Sequence, residues 1–112
     1  MRLLVMDDFD GKEWGLFPLF PKGTTIDEVK EDVDKESIHW FPCVIAGYEF
    51  WAPDHYVTEN TLNREYDPTS MTVEKGQEVT LLEVAFEWFY VKNQDGESGW
   101  IPASIAISTV YS

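Results

Sequence analysis

The sequence predicts an all-β protein made of two small five-stranded units in tandem, and two observations carry that expectation. The first is the run of residues 88–105, WFYVKNQDGESGWIPASI. Trp88, Phe89, Tyr90 and Val91 are aromatic or β-branched, Asp95-Gly96 supplies a turn dipeptide that tolerates positive φ, and Trp100-Ile101 resumes the apolar pattern before Pro102 ends the ladder. The second is an echo of that run at residues 40–53, WFPCVIAGYEFWAP, with Trp40 and Pro53 13 positions apart against 14 for Trp88 and Pro102. In both copies an inner tryptophan, Trp51 or Trp100, stands two residues before the proline. Self-similarity of this kind marks a repeated structural unit.

Taken in order, Leu3, Leu4, Val5 and Met6 form a short apolar run bounded by acids, as expected of a buried first strand. Residues 7–15 follow as a loop, since two glycines and four acids leave no apolar stripe of either period. Residues 16–21 are apolar but hold Pro18 and Pro21, which places them at an edge or in a diverging turn. Lys22-Gly23 is a turn that answers Lys75-Gly76. Residues 24–29 are expected to be a strand and residues 30–37 an acidic loop, although Thr25 to Glu28 also fits a capping box and Ile26, Val29 and Val33 fit helical spacing. The first hairpin, residues 40–53, leads through Asp54, His55 and Tyr56 to Val57. Residues 58–61 are polar and short, and read as a linker between a first unit at 1–58 and a second at 62–112. Tyr66 to Ser70 is a turn cluster, Met71-Thr72-Val73 alternates into Lys75-Gly76, and residues 78–84 alternate as a strand before the second hairpin.

These residues resemble Src-homology-3 domains. The Lys-Gly turn, the Trp that opens the middle strand, the Gly-rich hairpin turn and the exit Gly99-Trp100-Ile101-Pro102 all belong to that family's pattern, and the Gly-Trp-Ile form is similar to its bacterial branch. The resemblance implies two small barrels, each closed by a 3₁₀ turn and a last strand after Pro53 or Pro102. It also implies a groove of aromatic slots for an extended, proline-containing peptide, whose polyproline conformation loses little entropy on binding. In the first unit the positions that match the groove are Phe9, Trp14, Trp40, Pro53 and Tyr56, with Asp8, Asp10 and Glu13 placed to meet a basic ligand residue. In the second they are Tyr66, Trp88 and Pro102, but Ile105 stands where the family has Tyr. Trp40 is expected at the mouth of the first groove and Trp51 inside its barrel.

Composition narrows the function classes. The net charge is −13, with 5 basic and 12 acidic residues in 1–58 and 3 and 9 in 59–112. Neither half has the clustered Lys and Arg that nucleic acid or an anionic membrane requires, so a basic or uncharged protein partner is expected. One cysteine excludes an internal disulfide, no apolar run approaches the ~18–20 residues of a membrane span, and the first residues lack the form of a signal peptide. The chain therefore reads as a cytoplasmic protein complete from Met1. Units of this size have small cores, which the 17 aromatic residues would enlarge.

His39, Cys43 and His55 are too few for a closed metal site and lack the spacing of a nucleophile with its base, so no metal or cofactor is expected and Cys43 reads as a small core residue. The acid pairs Asp7-Asp8 and Glu31-Asp32 read as solvated loop faces. No phosphate loop or nucleophile elbow is present, which argues against an enzyme. Three functions remain: an adaptor that binds a peptide through an aromatic groove, an acidic inhibitor or immunity-type protein, and a structural accessory with both grooves sealed between the units.

Overall fold

The structure, a computed structural model, describes residues 1–30 and 39–108. Among the described residues the fold is all-β, with 49% strand and no helix of seven or more residues. In these residues three short 3₁₀ turns interrupt ten strands. The elements are β1 (Arg2–Val5), η1 (Gly11–Trp14), β2 (Glu28–Val29), β3 (Trp40–Ile45), β4 (Tyr48–Pro53), η2 (Asp54–Tyr56), β5 (Val57–Thr58), β6 (Thr61–Leu62), β7 (Glu78–Ala85), β8 (Trp88–Lys92), β9 (Ser98–Pro102), η3 (Ala103–Ile105) and β10 (Ala106–Ser108). Of the strand expected at 24–29 only β2 forms, with Thr25 bridged to Thr61. The acidic loop expected at 30–37, Glu31 and Asp32 included, lies outside the described residues from position 31 onward.

Both hairpins form, and in each the opening tryptophan stands opposite the closing proline, Trp40 against Pro53 and Trp88 against Pro102. Each proline adopts nearly the same extended geometry, φ −65°, ψ 137° at Pro53 and φ −62°, ψ 135° at Pro102, and each starts a 3₁₀ turn and a last short strand. The fixed pyrrolidine φ is what bends both chains out of the ladder at the same point.

The strands that complete these hairpins are exchanged relative to the order in sequence. Two compact units exist, but they are residues 1–16 with 69–112, and residues 17–68, rather than 1–58 and 62–112. β1 pairs with β10 and β7, placing Leu3 against Ser108 and Val79, whereas β6 pairs with β5. The reason lies in residues 58–61, which are no linker. Glu59 (φ 52°) and Asn60 (φ 65°) form a two-residue left-handed turn that folds β6 straight back onto β5. So short a connection leaves Leu62 only the unit that holds β5, and β1 fills the corresponding place beside β10.

None of the three sheets closes on itself, so the closed barrels expected from the sequence give way to open sheets. Unit 1 carries a five-stranded sheet in the order β10-β1-β7-β8-β9. Its core is Leu3, Val5, Met71, Val73, Val79, Val91, Ile101 and Ala106, with Phe9, Leu81, Phe89 and Ile105 against it. Gly11 and Gly99 admit Met71 and its neighbours closely: a Cβ on Gly11 would lie 2.5 Å from the Ser70 carbonyl oxygen, and one on Gly99 2.8 Å from Met71.

Unit 2 holds the three-stranded sheet β2-β3-β4 and the pair β5-β6. Its buried residues include Phe20, Ile26, Cys43, Ile45, Phe50, Ala52, Tyr56, Leu62 and Tyr66. Rings do much of the packing, with Phe20 stacked on Phe50 at 5.2 Å and Tyr56 edge-on to Tyr66 at 5.4 Å. Cys43 is buried here among apolar neighbours, and that burial pushes its thiol up to about 12.

The two units repeat one hydrogen-bond plan. Gly76 N–H donates to the Val5 carbonyl and Gly23 N–H to the Leu62 carbonyl, both at 2.8 Å. Phe9 and Val73 exchange two backbone bonds, as do Tyr66 and Phe20. Met6 N–H donates to Ile105 and Asn63 N–H to Tyr56, each at the last residue of a 3₁₀ turn. Residues 1–16 and the segment from Thr61 to Pro68 are therefore equivalent arms.

Candidate functional site

The arm exchange decides which aromatic side chains meet. β1 runs into a loop that returns at Phe9, and the bridge of Phe9 to Val73 sets its ring beside Trp88, centroids 6.0 Å apart at 69°. Asp10 caps the following 3₁₀ turn by accepting the Lys12 N–H at 2.9 Å, and that turn delivers Trp14 edge-on to Trp88, 5.4 Å away at 78°. Trp88 stands opposite Pro102, and Ala103 N–H donates to the Glu87 carbonyl at 2.8 Å, fixing η3 beside the tight turn between β7 and β8. An open cleft of about 600 Å³ lies there, lined by Phe86, Glu87, Trp88, Pro102, Ala103 and Ser104.

Trp14 remains 53% exposed and Phe86 40% exposed beside this cleft. Edge-to-face contacts hold Phe9, Trp14 and Trp88 in a fixed mutual geometry while leaving apolar ring surface in water. Phe86 has φ 56°, a left-handed conformation costly for a bulky residue. The three acids expected to meet a basic ligand differ in role. Asp8 accepts the Lys75 N–H at 2.8 Å and Asp10 serves as a cap, so each has a structural task, while Glu13 is exposed; Glu87, beside Trp88 in sequence, is exposed as well.

The residues expected in the first groove are divided between the two units. Phe9, Trp14, Asp8, Asp10 and Glu13 belong to unit 1 with Trp88 and Pro102, whereas Trp40, Pro53 and Tyr56 belong to unit 2. Tyr66, expected with Trp88 and Pro102, packs instead against Tyr56 and Phe50. Pro53, Tyr56 and Tyr66 are all buried, Arg64 covers the Tyr56 ring at 4.4 Å, and burial raises the Tyr66 hydroxyl well above its ordinary range. That set is a filled core. Trp40 is half-buried, and Trp51, expected inside, is 39% exposed, while its counterpart Trp100 is buried.

Phe86 and Glu87 were not foreseen as lining residues. The signal available was the two-residue spacing between the strand ending at Ala85 and Trp88, which forces both side chains to the rim of a tight turn. Near η2 the Asp54 carboxylate lies 3.9 Å from Nδ1 of both His39 and His55. Among the described residues no group of three or more His, Cys, Asp and Glu is placed to hold a metal ion, and no helix is long and apolar enough to cross a membrane. Comparison with protein-family models, curated proteins and solved structures finds no match to this chain.

Proposed function

We propose that the chain is a non-enzymatic interaction module of the Src-homology-3 kind, acting in the cytoplasm, that binds an extended protein or peptide segment through the aromatic slot of unit 1. The observation that carries this reading is the edge-to-face set of exposed Trp14 and half-buried Phe9 and Trp88 beside Pro102. Flat rings at fixed angles suit pyrrolidine faces and the stems of Arg or Lys, and Glu13 and Glu87 at the rim favour a basic segment. The Src-homology-3 reading of both units draws support from the shared plan of hairpin, proline, 3₁₀ turn and last strand. No metal or cofactor enters this function.

Indole fluorescence titrated with an arginine-containing proline-rich peptide tests the reading. Binding should fall by at least tenfold in Trp88→Ala, since central aromatic anchors cost ~2 kcal/mol or more on truncation. Equal binding by wild type and Trp88→Ala would reject the slot. A second reading, an acidic inhibitor of a basic protein, rests on the net charge of −13. It predicts capture of a basic partner that weakens steeply with salt and is indifferent to Trp88→Ala.

A further inference from the structure

We propose that the first arm, residues 1–16, is exchangeable between copies, so that this chain forms an arm-swapped dimer in which each copy completes unit 1 of the other. The inference needs no ligand and stands apart from the binding reading above. Unit 1 is assembled from two stretches far apart in sequence, 1–16 and 69–112, with the whole of unit 2 between them. The arm is seated by β1 against β10 and β7, by the paired bonds of Phe9 and Val73, and by the Gly11 N–H to Thr72 Oγ1 at 3.1 Å. All of these contacts are available to an arm from a second copy without change.

The point at which the arm leaves has the features of a hinge. Gly15 has φ 92°, Leu16 is 77% exposed, and Phe17 is already anchored in unit 2 against Phe50 at 5.5 Å. Pro18 biases Phe17 toward extended backbone, which favours an outstretched arm. A short hinge between two well-packed segments costs little to reopen when every contact it releases is remade in a partner. In the dimer the partner copy's arm brings Phe9 and Trp14 to Trp88, so each aromatic slot is built from two chains.

The test uses full-length chains in a Cys43→Ala background. One carries Leu4→Cys and the other Ile107→Cys, positions that face each other between β1 and β10. The two are co-refolded at millimolar concentration and oxidised. Expected is a covalent dimer whose mixed 4-to-107 bond exceeds its random share relative to 4-to-4 and 107-to-107 bonds, with a yield that falls on dilution before refolding. Monomer alone, or bonds in random proportion, would overturn the proposal. A single chain carrying both substitutions should close its own bond when refolded dilute. If that chain stays open, the arm is not seated on β10 and the proposal fails equally.

Discussion

Trp51 and Trp100 occupy equivalent places in the two hairpins, yet one is exposed and the other buried, and a single residue type explains the difference. Met71 N–H donates to the Trp100 carbonyl, and Trp100 N–H to Thr69, so that segment lies along the strand beside its tryptophan. The position equivalent to Met71 in unit 2 is Pro18, which has no N–H to give, and the Trp51 carbonyl is satisfied instead by the Tyr66 hydroxyl at 2.5 Å. Trp100→Ala should therefore cost about 3–5 kcal/mol in denaturant unfolding, and Trp51→Ala well below that. Cys43 and Tyr66 give a second prediction. Burial raises both above their ordinary values, Cys43 to about 12. The folded state then keeps protons the unfolded chain releases, so their contribution is full below an unfolded thiol value of ~8.5 and is lost as pH climbs from there through the folded values. The melting temperature should hold steady near neutrality and fall above about pH 9. Cys43→Ala should flatten the first part of that decline, and an unchanged slope would show that the thiol does not titrate on unfolding.

At the scale of elements, the tight turns set both the topology and the site. Glu59 is exposed with φ 52°. Glu59→Asn should raise stability by roughly 0.5–1 kcal/mol, because Asn accepts the left-handed region that the turn demands. Phe86 carries the same kind of strain beside the cleft. Phe86→Asn should stabilise the fold by about 1 kcal/mol while weakening peptide binding, a trade between melting temperature and affinity that a merely structural residue would not show. The hairpins were legible in the sequence because their tryptophans, turn glycines and prolines are local signals. The turn at Glu59-Asn60 was not, since it lacks the Asn-Gly or Asp-Gly pair that marks such hairpins, and four polar residues look like a linker. Leu82 and Val84, which simple alternation puts on one face of β7, are both exposed, but the register shift between Leu81 and Glu83 is a bulge that no residue in that stretch announces.

For the whole molecule, the repeat was readable and the exchange of arms was not, because the arms are alike: Val5 precedes Phe9 as Leu62 precedes Tyr66, each an apolar strand residue followed at the same spacing by a ring. Nothing within an arm says which unit it completes. That choice comes from the two-residue connection between β5 and β6, and it converts two expected grooves into one open aromatic slot and one filled core. Isotope-resolved NOE spectroscopy on the intact chain is the most direct test. The exchanged topology predicts cross-peaks from Val5 to Ala106, from Leu3 to Val79 and from the Phe9 ring to the Trp88 indole, together with cross-peaks from Leu62 to Val57. Cross-peaks from Val5 to Val57 and from Leu62 to Ala106, with the Phe9 ring silent toward Trp88, would contradict it.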